Sequence, residues 1–165
     1  LNWLETILSI SEHPPKWRVY FLGLFISMKG VVFEKSVKRL HLPIKISNWI
    51  RLDRKFFDEA KCHLDEEREL KPSQVYDIFS KLSSEAVVLL LAACSSERVS
   101  SYAELYFNKY CKLAKIKLTG DDLMKMGMQP GPTFNSIFKA LRDARVNGQV
   151  ASRDEEVIFV RSNFL

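Results

Sequence analysis

Apolar residues recur along this chain at intervals of three and four, the spacing of a buried helix face. Trp3, Leu4, Ile7 and Leu8 open the pattern, and Pro14-Pro15 stops it. A second helix carries Val19, Leu22, Phe25 and Ile26 as far as Gly30. A third, Val31 to Leu40, is expected to turn Val32, Phe33, Val37 and Leu40 inward and Lys35, Lys38 and Arg39 outward. Pro43 opens a long helix with Ile46, Trp49, Ile50, Phe56, Phe57, Ala60 and Leu64 along its buried side, and its acidic second half ends before Pro72. Pro72 suits the first turn of a short helix holding Val75, Ile78 and Phe79.

Ser83 or Ser84 caps the apolar helix Ala86 to Ala93, with Glu85 in its first turn. From about Glu97 to Ile116 the stripe is Val99, Tyr102, Ala103, Tyr106, Tyr110 and Leu113, with Lys109, Lys112 and Lys115 on a basic side. Val157 to Val160 has strand-like residues, but Arg153-Asp154-Glu155-Glu156 ahead of it reads as a helix first turn. Nothing shows sustained period-two alternation. The pattern therefore predicts an all-α fold, an irregular bundle of about eight to ten helices.

Length and composition keep that picture. At 165 residues the chain suits one domain or two small helical ones, and 47% hydrophobic with 27% charged residues is globular. Charge adds more. The formal net charge is +5, and its distribution is uneven. From Lys29 to Lys55 eight basic residues face Glu34 and Asp53, whereas from Phe56 to Leu70 six acids face Lys61 and Arg68. Lys109, Lys112, Lys115 and Lys117 form a second basic run. A polyanionic partner and ordinary solvated helix faces both fit.

Cys62, Cys94 and Cys111 are odd in number and far apart, so they read as core thiols of a reducing, cytoplasmic setting. The apolar run Ala86 to Cys94 is too short to span a bilayer, and no basic-then-apolar leader opens the chain. The opening Leu1 suggests a piece of a longer protein.

The segment from Leu118 to Val160 carries the most information. Thr119 is a good N-cap, and Asp122 three residues on can reach back as a capping-box acid. Gly127 suits a left-handed C-cap, Pro132 or Thr133 begins a long helix, and Asn147-Gly148 closes it. A short helix, a glycine-containing turn and a longer helix with free first-turn amides make a place where a phosphate can sit. Lys125, Lys139 and Arg142 could add cations. A plain packing turn explains the same residues.

The residues Leu-Thr-Gly-Asp-Asp-Leu-Met-Lys-Met-Gly-Met-Gln-Pro-Gly-Pro (118–132), followed by Ile137, Leu141, Ala144 and Asn147-Gly148-Gln149-Val150, resemble the C-terminal signature of tRNA nucleotidyltransferases. These are the CCA-adding and A-adding enzymes of the bacterial poly(A) polymerase superfamily. The match is strong over the last half of the chain, while residues 1–80 fit that family's helical body in general character. The resemblance implies a helical body-like region over 1–82 and a tail domain over 83–165. It also implies a parent that adds nucleotides to the tRNA 3′ end, using magnesium and ATP, with CTP in CCA-adders. The catalytic head of that family carries a Gly-Gly-x-Val-Arg-Asp segment and an Asp-x-Asp pair, and neither occurs in these 165 residues. The chain is thus expected to have no catalytic site, cofactor or metal of its own. Its expected partners are tRNA and the head of the same protein, with no membrane. The residues expected to contact RNA are Lys109, Lys112, Lys115, Lys125, Gly131, Lys139 and Arg142.

Other constellations give little. Adjacent Asp121 and Asp122 face different directions on a helix, so capping explains them better than a metal. His13, His41 and His63 share no ligand spacing, and no Gly-x-Ser-x-Gly elbow occurs. Trp3, Trp17 and Trp49 read as core, although one left exposed could stack on a base. Lys38 to Pro43 weakly echoes Lys125 to Pro130, each with Pro near a helix start behind basic residues. The rival function is a helical protein-interaction or helix-turn-helix DNA-binding domain, with the acidic 56–70 segment engaging a partner.

Overall fold

The computed structural model describes residues 14–65, 68–94 and 96–165. The helix expected around Trp3, Leu4, Ile7 and Leu8 lies outside them. The described residues are all-α, with no strand among them. In chain order the elements are α1 (Lys16–Ile26), α2 (Gly30–Arg39), α3 (Ile44–Asp65), α4 (Pro72–Phe79), α5 (Ser84–Cys94), α6 (Glu97–Leu105), a π-helical turn (Tyr106–Tyr110), α7 (Cys111–Leu113), α8 (Gly120–Lys125), α9 (Pro132–Val146) and α10 (Arg153–Phe164). They group into two compact units, Leu1–Glu69 with Asp77–Leu105, and Leu70–Tyr76 with Tyr106–Leu165.

In the first unit α1 packs on α3 and α5, and α5 also packs on α3 and α6. Leu22, Phe25, Phe33, Val37, Ile50 and Ala86 form the core, with Phe25 edge-on to Phe21 and Phe33. Long side chains close the helix ends here. Arg54 donates to the carbonyls of Phe25 (2.9 Å) and Met28, beyond which α1 has ended, and lies 4.5 Å over the Phe33 ring. Arg98 donates to the Leu64 carbonyl at 2.5 Å, closing α3. Each side chain brings a donor to carbonyls at or just past a helix end, and the Phe25 carbonyl also accepts from the Met28 N–H at 3.3 Å.

The start of α5 is also built from a distance. Ser83 accepts from the Ala86 N–H as N-cap, and its hydroxyl donates to Asp53 Oδ2 at 2.6 Å. Burial pushes the Asp53 carboxyl above its ordinary range, and the hydrogen bonds from Ser83 oppose that shift. Beside it, buried Glu85 pairs with Arg18 at 2.8 Å, and Arg18 lies 4.6 Å over the Trp49 ring.

Four expectations need correction, the first being that Cys62, read as a core thiol, is exposed on α3. The third predicted helix buries Phe33 and Val37, but Val32 and Leu40 are each more than half exposed. A ten-residue helix packed along one line has room for an i, i+4 pair, and Val32 lies about 100° around the helix from Phe33. Trp17 is 62% exposed and so is not core. The helix expected over Glu97 to Ile116 contains a π turn at Tyr106–Tyr110 and stops at Leu113. The extra residue of a π turn rotates everything after it, which a strict 3.6 period cannot register.

In the second unit Leu118, Leu123, Ile137, Leu141 and Val160 make the core, with α9 packed against α10 and α7. A buried ion pair ties the pieces together. Glu156, wholly buried on α10, accepts from the N–H groups of Lys117 and Leu118 and from Arg145 Nη1 at 2.6 Å. Arg145 also donates to the carbonyls of Leu113 and Ala151. The charge pair is therefore hydrogen-bonded on both sides, the condition under which burial is tolerated.

Candidate nucleic-acid interface

The Thr119–Pro132 segment folds as its local chemistry directs. The Thr119 N–H and hydroxyl both donate to Asp122 Oδ2 at 2.9 Å, and the Asp122 N–H donates back to Thr119 Oγ1 at 3.4 Å. The Thr119 N–H and hydroxyl, and then Arg153 at 2.8 Å, hold the Asp122 carboxyl below its usual range. Among the described residues no group of three or more His, Cys, Asp and Glu side chains stands where a metal could be held.

Gly127 ends α8 with φ 93°, and the N–H groups of Gly127 and Met128 return to the carbonyls of Met124 and Leu123. That is the Schellman pattern, and Gly148 repeats it after α9 with φ 77°. Gly131 is the N-cap of α9, in extended backbone, and Pro132 is the first helical residue. No side chain caps this end, but Pro132 has no N–H and the Phe134 N–H donates to the Gly131 carbonyl at 3.0 Å, so only part of the first turn is open to a ligand. The echo at Lys38 to Pro43 is a related cap with a shifted register. There His41, and not the residue matching Gly127, takes the left-handed position (φ 46°), and Pro43 directly precedes α3.

The two glycines of this loop separate backbone strain from ligand approach. A Cβ at either would meet nothing within 4 Å. Gly127→Val is expected to cost about 1 kcal/mol or more, through positive φ alone. Gly131→Ala should leave the melting temperature nearly unchanged and weaken tRNA binding, if a phosphate approaches that turn. Thermal melts and a binding titration on both variants check this. Equal destabilisation by the two, with affinity retained, would make the loop purely structural.

All seven residues expected at an RNA surface fall in the second unit. Lys109 is in the π turn, Lys112 in α7, and Lys115 just beyond it; all three are exposed. Lys125 is the last residue of α8, also exposed. Lys139 is exposed and pairs with Asp143 one turn on, at 3.5 Å. Arg142, half-buried, stands 5.9 Å from the Tyr76 ring, which packs 5.7 Å from Tyr106. Burial pushes the Tyr106 phenol well up, so it stays neutral and donates an uncharged aromatic wall. Through these rings Arg142 is linked to the helix of Lys109 and Lys112. Gly131 and Lys125 belong to the other end of α9, since eleven residues put Gly131 roughly 16 Å along the axis from Arg142. The seven residues therefore form two groups.

Sequence reasoning missed the Arg145–Glu156 pair that fixes α9 beneath these residues. The available signal was an arginine, Arg145, directly after the apolar run Ile137, Leu141 and Ala144.

No family model matches the chain, and no solved structure does. Among curated proteins, it is 27% identical over 161 residues to the A-adding tRNA nucleotidyltransferase of Geobacter sulfurreducens, an alignment covering 95% of this chain and 18% of that protein. It is 20% identical over 164 residues to the A-adding tRNA nucleotidyltransferase of Halalkalibacterium halodurans, covering 99% of this chain and 33% of that one. The chain thus spans a third or less of the relatives it matches. The resemblance carried by residues 118–150 extends over nearly the whole chain.

Proposed function

We propose, from the likeness to tRNA nucleotidyltransferases, that this chain is the C-terminal body-and-tail part of such an enzyme and holds the tRNA while its 3′ end is extended. The observation that carries this reading is the coverage: almost every residue aligns, yet only to a fraction of each relative. The catalytic head, with magnesium and the nucleotide, belongs on this reading to another part of the same protein. Because both named relatives are A-adding, that nucleotide is taken to be ATP. The protein would work in the cytoplasm, and no described helix is long and apolar enough to cross a membrane.

The surface suits backbone and shape recognition. Scattered exposed lysines and an uncapped helix start meet phosphates, and neither reads base edges in a groove. The helix-turn-helix and protein-interaction reading is not favoured, since both relatives are named as tRNA enzymes.

The test uses the 165-residue chain alone. It should bind folded tRNA in preference to duplex DNA of similar length, and it should transfer no nucleotide with ATP, CTP and magnesium. Two-metal transfer needs paired carboxylates, and the chain has no Asp-x-Asp motif. Magnesium-dependent 3′ extension by this chain would overturn the non-catalytic role. Preference for duplex DNA would overturn the tRNA role.

A further inference from the structure

A second basic feature lies in the first unit, apart from every residue assigned above. An open depression of about 390 Å³ lies against the end of α2 and the start of α3, with Val37 in its wall and Glu34, Lys35, Lys38, His41 and Arg51 around it. Glu34 is spoken for: Arg51 binds it through Nε (3.2 Å) and Nη2 (2.9 Å), and this pairing holds the Glu34 carboxyl below its usual range. The Arg51 fork keeps its Nη1 hydrogens free of Glu34. Lys35, Lys38 and His41 make no ion pair among the described residues, and both lysines are exposed. With Glu34 matched by Arg51, the two lysines leave the depression positive.

Two features set it apart from a solvated helix face. Lys35 and Lys38 stand three residues apart on α2, about one turn, and His41, just past the end of that helix, borders the same depression. His41 also holds a left-handed backbone, φ 46°, at the position after a helix where glycine is the unstrained choice. It is the one non-glycine residue with positive φ among those described. Strain kept at a cavity wall, where glycine would relieve it, points to a side chain that is used.

We infer that this depression is a phosphate-binding site for the backbone of the same RNA, with Lys35 and Lys38 as the main cations and His41 and Arg51 as hydrogen-bond donors. The inference rests on the tRNA-holding reading above. It places a contact in the first unit, where that reading assigned none.

Two variants of the 165-residue chain test it: Lys35→Ala with Lys38→Ala, and His41→Gly. Binding of fluorescein-labelled tRNA is followed by anisotropy from 50 to 200 mM salt. The double lysine variant should bind roughly tenfold more weakly at low salt and lower the slope of log K against log salt by about 2, one counterion per lost phosphate contact. His41→Gly should weaken binding severalfold while its melting temperature holds or rises, because the left-handed strain is relieved. A histidine that merely packs would show the reverse, a lower melting temperature and unchanged affinity. Unchanged affinity and slope in the double variant, while Lys109→Ala with Lys112→Ala and Lys115→Ala still lowers the slope, would overturn this site and leave the tRNA reading standing. Absence of tRNA binding by the unaltered chain would overturn both. Inorganic phosphate or ATP shifting the amide resonances of residues 34–51, with tRNA affinity unaffected by the variants, would reassign the site to a free phosphate compound and overturn the RNA assignment.

Discussion

Glu156→Ala is expected to destabilise the Tyr106–Leu165 unit by about 3–5 kcal/mol, the usual cost of removing one partner from a buried ion pair. The Glu156 side chain is wholly buried, and that of Arg145 is only 8% exposed. Without the carboxylate the guanidinium keeps its charge in a place with little water. The N–H groups of Lys117 and Leu118, which donate to Glu156 at 3.1 and 2.8 Å, lose their acceptor as well. Glu156→Gln keeps the shape and one acceptor oxygen, so its loss should be smaller. Arg145→Met combined with Glu156→Leu should recover part of the stability, since neither charge is then buried, but the Leu113 and Ala151 carbonyls lose their donor. Urea unfolding of the four proteins checks the order. A loss below about 1 kcal/mol for Glu156→Ala would show that apolar packing, and not this pair, holds α9 to α10.

The second large effect is on binding. If four to six phosphates are neutralised, log K for tRNA should fall with log salt at a slope of about −3 to −5. At a slope near −4, raising salt from 50 to 200 mM weakens binding roughly 250-fold. Changing Lys109, Lys112 and Lys115 together to alanine should bring the slope to about −1 to −2, so that the same step costs about tenfold. None of the three makes an ion pair among the described residues, so stability should move by no more than about 0.5 kcal/mol per site. An unchanged slope would turn this face away from the RNA.

Much of the local architecture was legible because its causes are local. A capping box spans three residues, so Thr119 and Asp122 announce it without help from the rest of the chain. Gly127 and Gly148 take positive φ where a glycine after a helical stripe predicts it, and Pro132 stands at the first position of α9. The candidate lysines of the second unit were found the same way, since outward faces are the complement of inward stripes. His41 was not. Nothing in Leu40-His41-Leu42 signals a left-handed residue, and the tertiary turn from α2 into α3 imposes it.

By itself, then, the sequence determined where helices start and stop, that they are amphipathic, and that residues 118–150 resemble a tRNA enzyme's tail. Those properties are set by dihedral preferences and contacts within four or five residues. Tertiary structure alone decided how wide each buried stripe is, and so left Val32, Leu40 and Trp17 in water. It also chose partners across the chain: Arg54 for the end of α1, Asp53 for the cap of α5, and Arg145 for Glu156. Asp154, Glu155 and Glu156 are three acids in one first turn that the helix dipole favours alike, and of these Glu155 has a local role legible in sequence, as the acid three residues after the Ser152 cap. Only the packing of α10 against α9 puts Glu156 beside the one guanidinium that can satisfy it, because a buried charge is tolerated where a counter-charge and donors already wait.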